Sequence, residues 1–367
     1  MHLDNVTQMQ AAYTQGVDKD GREHLVVVVK GTFLLPTHGG EAILAQEQVP
    51  PVEADSFFGE PGFSATKYES DFAPIKPRCD VLLHGSAYAP QGKATDRVDV
   101  GIRIGKIRKV FSVVGKRFWY VAGGTISATS PEPFDVLPIS YDVAFGGSEA
   151  ARQEKGKHDA CLANPVGTGF YNSLDRQVLH NKPLPNTEEL DHPVKQPDRS
   201  YVPMAFGPVG RGWQPRVQFA GTYDQDWIDR TFPFLPPDFQ DDFYQCAPAD
   251  QQTDYLMGGE QIDLLNLTPA GRTSFSIPRV HVPVVYFYKR GAPLRARAVA
   301  DTLMLEPDLG RFTITWRCSV PLRRNIFEIA EVLVGERSRA WWRARELGKT
   351  FHASLDSLVH KQGEEDD

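Results

Sequence analysis

Between Val98 and Ile104 the chain alternates, with Val98, Val100, Ile102 and Ile104 separated by Asp99, Gly101 and Arg103. A period of two sends successive side chains to opposite faces, so this stretch reads as a strand with one buried face. It runs into Gly105-Lys106, a second run from Ile107 to Val114, Gly115-Lys116, and then Arg117-Phe118-Trp119-Tyr120. Glycine followed by a polar residue suits a two-residue type II′ hairpin, because glycine supplies the positive φ. The spacing predicts a three-stranded antiparallel meander, which commits this part of the chain to a sheet.

The same reasoning finds more strands. The run from His24 through Leu25 and Val29 to Lys30 is apolar and β-branched and ends near Gly31, as a buried strand does. Asp80 to Tyr88 reads as another. Ile277 to Tyr288 is β-branched and aromatic, and its Pro278 and Pro283 point to an edge or bulged strand. Ala298 to Leu305 and Arg311 to Cys318 flank Glu306-Pro307-Asp308-Leu309-Gly310, a hairpin connection.

The middle of the chain behaves differently. Of the 28 prolines, 16 fall between residues 131 and 271, and few stretches there keep either period. Yet Phe206, Trp213, Phe219, Tyr223, Trp227, Phe232, Phe234, Phe239 and Phe243 crowd one part of it. So many aromatics need burial, in the core or against a partner. The reading is ordered irregular structure with short strands, pinned by proline and glycine.

Only the end has helical pattern. Asn325 is placed to cap a helix from Ile326, with Glu328 three residues on. Ile326, Ile329, Ala330 and Leu333 would share a face, and Gly335 would stop it. A second helix starts near Ser338, with Trp341, Ala344, Gly348, Phe351, Leu355 and Leu358 as its stripe. The expected fold is therefore mainly β: an antiparallel β-sandwich or two packed β subdomains, with a long irregular Pro/Gly-rich middle and C-terminal helices. Its expected units are a β-rich domain over 1–320, helices over 321–360 and an acidic tail over 361–367. Within the first, regular strands in 1–150 and 271–320 enclose an irregular insertion at 151–270.

Composition narrows the function. With 367 residues there is room for one large or two modest domains, and 41% hydrophobic with 24% charged residues is a globular balance. A formal charge of -7 argues against a general nucleic-acid binder, which needs a basic footprint for phosphates. The N-terminus has neither a basic n-region nor an apolar h-region, and no apolar run is long enough to span a membrane, so a cytoplasmic protein without membrane insertion is expected. Cys79, Cys161, Cys246 and Cys318 are scattered, form no CxxC, and are expected as free structural thiols.

Catalytic motifs are missing. There is no GxxxxGK[ST], GxSxG or HExxH, and Gly167-Thr168-Gly169 continues as Phe170-Tyr171-Asn172, which breaks GxGxxG. His158 with Cys161 lacks further partners at ligand spacing, and Asp18-Lys19-Asp20-Gly21 lacks the last acidic ligand of a calcium loop. No metal or cofactor is expected. Asp224, Asp226 and Asp229 around Trp227, with Asp238, Asp241 and Asp242, hold the alternative of a carbohydrate-active enzyme or sugar-binding module. The same residues suit turns and caps. Aromatic and arginine residues together are also what interface hot spots use. Trp213, Arg216, Tyr223 and Trp227 are candidates for partner binding, and Trp341 and Trp342 on the Arg-rich last helix are another pair.

Several phrases, in order, resemble one family. They include Lys67-Tyr68-Glu69-Ser70-Asp71-Phe72-Ala73-Pro74, Lys76-Pro77-Arg78-Cys79-Asp80-Val81 and His84-Gly85-Ser86-Ala87-Tyr88. Pro138 to Tyr141, Ala144-Phe145-Gly146-Gly147 and Asn164 to Phe170 continue the series. Trp213-Gln214-Pro215-Arg216, Ala220 to Asp224 with Trp227, Leu235 to Phe239, Ala247 to Gln252, Gly258-Gly259-Glu260, and Asp301-Thr302 ahead of Trp316-Arg317 complete it. From about residue 20 to 320 the chain thus resembles the type VI secretion accessory proteins, a bacterial family labelled a domain of unknown function. Gly115-Lys116-Arg117 departs from the Gly-Asp-Arg expected there, and the C-terminal segment lies outside the matched part. The resemblance implies a non-enzymatic adaptor or chaperone whose partners are an effector with a PAAR-like domain and the VgrG spike. It brings no catalytic residues. A purely structural subunit of the secretion machine is the further alternative.

Overall fold

The computed structural model describes residues 1–36, 39–149, 159–171 and 179–352 of the chain. The fold is mainly β, and among the described residues its larger sheets have six, five and four strands.

The alternating stretch forms Arg97–Ile104, with Val98, Val100, Ile102 and Ile104 all buried. It pairs with Ile107–Val114 through the expected two-residue turn, where Gly105 takes a φ of 54°. The third strand of the meander does not form. Gly115 has no positive φ; it is glycine because a Cβ there would overlap the Glu132 carbonyl. Trp119–Ala122 turns instead onto Thr125–Ala128. The vacant sides of the hairpin are taken by Thr187–Glu188 and by Gln261–Leu265, the latter continuing to Arg272–Ser276. The five-stranded sheet thus draws strands from the irregular middle.

The six-stranded sheet has the order Gln252–Thr253, Cys79–Leu83, Val299–Glu306, Arg311–Pro321, Glu23–Leu34, Gln10–Val17. The hairpin expected around residues 306–310 is present, with Gly310 at a φ of 62°. The run from Asp80 to Tyr88 is two strands rather than one. It breaks at His84, after which Gly85–Tyr88 pairs with Val136–Ile139. Register assigns the two faces of the sheet: Leu25, Val27, Val29, Phe312, Ile314, Trp316, Val81 and Leu83 point inward to the core. Phe33 stacks on Phe312 at 5.3 Å, and Phe312 meets Phe275 of the five-stranded sheet at 5.3 Å, which joins the two layers.

The four-stranded sheet runs His2–Asn5, Ile329–Val334, Pro283–Tyr288, Leu294–Arg297. The run from Ile277 to Tyr288 is therefore split, its first residues lying outside any strand. Pro283 opens an inner strand, where a missing N–H is tolerated at the first position, and a bulge falls at Phe287/Tyr288. The helix expected from Ile326 is corrected here. Asn325 does cap, accepting from Phe327 N at 3.0 Å, but for one 3₁₀ turn only, Ile326–Glu328. Ile329–Val334 is a strand because His2–Asn5 and Pro283–Tyr288 offer backbone partners on both sides, which outweighs a weak helical stripe. Ser338 caps the second helix as expected, but the helix runs only Arg339–Glu346 and stops before Gly348, at a φ of 66°, so Gly348 and Phe351 of the expected stripe lie outside it. Leu355, Leu358 and the tail 361–367 lie outside the described residues.

Tyr286 donates to the Cys318 carbonyl at 3.2 Å, tying the four-stranded sheet to the six-stranded one. All four cysteines are free thiols, and no described helix is long and apolar enough to cross a membrane.

Candidate functional site

The outer face of the six-stranded sheet is polar and yet buried. Lys30, Thr32, Asp80, Thr302, Glu306, Thr313, Thr315 and Arg317 are each less than a tenth exposed. Side chains of this kind are buried only when paired and hydrogen-bonded, and here the phrases from Lys67 to Asp80 supply the partners. Asp71 accepts from Lys30 Nζ at 2.8 Å, from Thr315 at 3.1 Å and from Val52 N at 2.7 Å. Arg317 donates to Asp301 at 2.6 Å and to the Ala73 carbonyl at 2.7 Å. Asp301 reaches this face because the strand bulges between Ala300 and Thr302. Asp80 accepts from Lys76 Nζ at 2.7 Å, Gln245 Nε2 at 2.7 Å and Cys246 N at 2.9 Å. Burial opposes the charge on Lys76, but neighbouring Asp80 wins and holds the ammonium well above the ordinary lysine range. Tyr68 donates to Glu306, which also holds Arg311 at 2.8 Å. A cavity of about 240 Å³ opens beside this network, and its charged liners, among them Glu69 and Arg311, are paired.

His84 sits at the break between its two strands, its ring edge-on to Phe58 and Tyr68, both at 5.3 Å. Burial pushes its pKa below the ordinary 6.5, outweighing the Lys67 carbonyl beside Nε2. In the unfolded chain His84 takes up a proton near 6.5, whereas the folded chain resists it. The unfolded form then binds more protons, so stability falls as pH drops below that value. Thermal melts from about pH 7 to about pH 5.5 are expected to show a steeper loss for wild type than for His84→Gln; equal slopes would remove His84 from this role.

Above the network stands a lobe, and the four candidate residues in it divide into roots and tips. Arg216, in the short helix Gln214–Val217, is 3% exposed. It donates to Glu69 at 2.9 Å, to Val209 O at 2.8 Å and to Phe243 O at 2.8 Å. Burial disfavours its charge, but the Glu69 carboxylate holds its pKa above the ordinary arginine value. Trp213 is 8% exposed and meets Tyr141 edge-on at 5.2 Å. Neither residue offers a docking face. They hold the lobe to the sheet.

Tyr223 and Trp227 are the tips. Asp224 caps Gln225–Arg230, accepting from Trp227 N at 2.9 Å, and Trp227 Nε1 donates to the Phe234 carbonyl at 2.9 Å. Trp227 is thereby fixed between Tyr223 at 4.8 Å and Phe232 at 5.6 Å. Tyr223, Ile228, Phe232 and Phe234 are 52%, 53%, 66% and 50% exposed, so the lobe ends in an exposed apolar knuckle around the packed Tyr223, Trp227 and Phe232 rings. Ile228, Phe232 and Phe234 are missing from the sequence-based candidates. The available signal was Asp224 three residues before Trp227, the spacing of an N-cap.

The carboxylates once open to a glycosidase reading are mostly committed elsewhere. Asp224 is the cap, Asp226 pairs with Arg230 at 2.9 Å, and Asp229 accepts from Gln225 at 2.9 Å. Asp238 binds Thr222 N at 3.0 Å and Asp242 pairs with Arg78 at 2.5 Å. Asp18 closes a turn, accepting from Asp20 N at 3.0 Å and Arg22 N at 2.9 Å. His158 lies outside the described residues, and among those described no cluster of three or more ligands is arranged for a metal ion.

Trp341 and Trp342 lie elsewhere. Half-buried, they pack on Val285, Phe287 and Leu333 of the four-stranded sheet. Arg295 stacks over Trp342 at 4.3 Å and Arg345 over Phe287 at 3.6 Å. Arg337 pairs with Asp4 at 2.8 Å and Arg345 with Glu331 at 2.7 Å. Both the tryptophans and part of the arginine row thus clamp the last helix to its sheet.

Compared with known proteins, residues 20–317 match one family model, described as an uncharacterized protein conserved in bacteria (DUF2169). No curated protein and no solved structure matches the chain.

Proposed function

We propose that this chain, which belongs to the bacterial family described as uncharacterized and conserved (DUF2169), is a non-enzymatic adaptor that docks a protein partner on its aromatic knuckle. One observation carries the reading: Tyr223, Ile228, Phe232 and Phe234 stand half or more exposed on a lobe rooted by buried Trp213 and Arg216. Rigid aromatic anchors with apolar bodies contribute most where they become desolvated at the centre of an interface. A knuckle held in place before binding loses little conformational freedom on docking.

The ordered phrases from Lys67 to Arg317 direct the choice of partner. In this reading the partner is a type VI secretion effector with a PAAR-like domain, which the adaptor shields and then yields to the VgrG spike. A moderate interface suits such a hand-over better than an obligate one. The purified chain is expected to bind such an effector, and Trp227→Ala with Phe232→Ala is expected to weaken binding by at least about tenfold. Melting temperature should change little, since both side chains lie outside the core. Calorimetric titration of wild type and the double variant decides. Affinity that does not respond to the double variant removes the knuckle from the interface, and an effector that does not bind at all removes the adaptor reading.

A further inference from the structure

Between the helix Gln214–Val217 and the segment 245–252 lies a groove of about 320 Å³. Its walls are apolar, formed by Tyr141, Val202, Pro203, Pro215, Phe219 and Pro248. The charged groups along it are already neutralised in pairs, Arg78 with Asp242 at 2.5 Å and Arg216 with Glu69 at 2.9 Å. Its amides are used as well: Gln245 donates to Asp80 at 2.7 Å and accepts from Arg78 N at 2.9 Å, and Gln218 donates to Pro215 O at 3.0 Å.

Two buried groups of the lining stay free, and they are of opposite sense. Gln252 Nε2 donates to Ala247 O at 2.7 Å, which fixes the orientation of the amide, and its Oε1 is buried with no hydrogen-bond partner. The Tyr141 ring is 4% exposed, and its hydroxyl makes no hydrogen bond to any described residue. Burial, with Asp250 nearby, keeps that hydroxyl protonated far above neutral pH, so it is available as a donor. A buried acceptor without a donor is costly, and a ligand that supplies the donor recovers that cost.

We infer that the groove takes an extended, uncharged, apolar peptide segment of a partner protein. A peptide backbone carries one N–H and one C=O per residue, the N–H meeting Gln252 Oε1 and the C=O accepting from Tyr141. The paired-off charges exclude an ionic ligand, and the proline and aromatic walls favour small apolar side chains. The inference rests on the reading of the chain as a protein-docking adaptor, but on a face separate from the knuckle.

The test uses the full chain against displayed random peptides, with enriched sequences remade and titrated by fluorescence polarisation. Enrichment of apolar, uncharged peptides is expected. Their affinity should fall about three- to tenfold in Tyr141→Phe, and also fall in Gln252→Met, while Trp227→Ala leaves it unchanged. Tyr141→Phe removes no intramolecular hydrogen bond, so its melting temperature should match wild type. Failure to enrich peptides, or enriched peptides that bind both variants as tightly as wild type, overturns the inference. Self-association that both variants abolish overturns it in favour of a second copy of the chain. A failed selection beside intact effector binding sinks the groove alone, whereas peptide binding beside a failed effector titration sinks the type VI partner alone.

Discussion

Replacing Asp80 with alanine is expected to remove about 3–5 kcal/mol of folding stability. Asp80 is fully buried on the outer face of the six-stranded sheet, on the strand next to its Gln252–Thr253 edge. Its carboxylate accepts from the Lys76 ammonium at 2.7 Å, the Gln245 amide at 2.7 Å, and the Cys246 and Ala247 backbone at 2.9 and 3.2 Å. Alanine removes the acceptor of these donors and of the Cys246 thiol at 3.3 Å, and leaves Lys76 a buried cation that keeps Thr302 at 3.0 Å but loses its paired carboxylate. The cost is that of the abandoned partners more than of the lost pair. Asp80→Asn keeps the shape and one acceptor, and should fall between wild type and Asp80→Ala. Urea unfolding of the three proteins measures this, with the slope m checked for a change in the unfolded state. A loss below about 1 kcal/mol for Asp80→Ala would show that the network behaves like a surface ion pair. Against the 5–15 kcal/mol typical of a native domain, the expected loss is a large share of the whole folding free energy.

Trp213→Ala is expected to cost about 3–5 kcal/mol and to detach the lobe. The indole is 8% exposed and lies edge-on to Tyr141 at 5.2 Å, with its backbone starting the Gln214–Val217 helix that carries Arg216. Its removal leaves a cavity where the lobe meets the core. Limited proteolysis should then cut between residues 213 and 248 faster than in wild type, and the melting temperature should fall. Trp227→Ala, in the knuckle, should do neither. Partner binding is lost in both variants on the adaptor reading, but only Trp213→Ala should lose it through instability. Equal melting temperatures for the two variants would mean that Trp213 does not root the lobe.

The contrast between these two tryptophans shows how the site was legible in the sequence and where it was not. Aromatics crowd residues 206–243, and a hot-spot reading picks out Trp213, Arg216, Tyr223 and Trp227 together. Tryptophan and arginine serve an interior and an interface through the same physics, desolvation of a large side chain with one polar end. Nothing local separates the two uses. Glu69 separates them in the structure, by drawing Arg216 inward from far along the chain. Trp341 and Trp342 were open to the same ambiguity and end half-buried on the four-stranded sheet. The outer face of the six-stranded sheet was harder still, since Lys30 beyond an apolar run reads as a strand end. Asp71, which makes it a buried ion pair, comes from a separate segment.

Features whose cause lies within a few residues were set by the sequence alone. The alternation of Val98 to Ile104, the Gly105-Lys106 turn, the hairpin about Pro307 to Gly310 and the Ser338 cap all formed as their neighbours required. These depend on side-chain period and on positive-φ or capping chemistry, which a short window contains. Strand partners and buried faces needed the whole fold. Ile329–Val334 became a strand because two distant strands left it an open place between them. Trp119–Ala122 left the meander because Glu132 packs against the turn at Gly115 and middle-region strands took both sides of the hairpin. Backbone hydrogen bonds and burial are satisfied across the whole chain at once, and where two local conformations lie close in energy, those distant partners select between them.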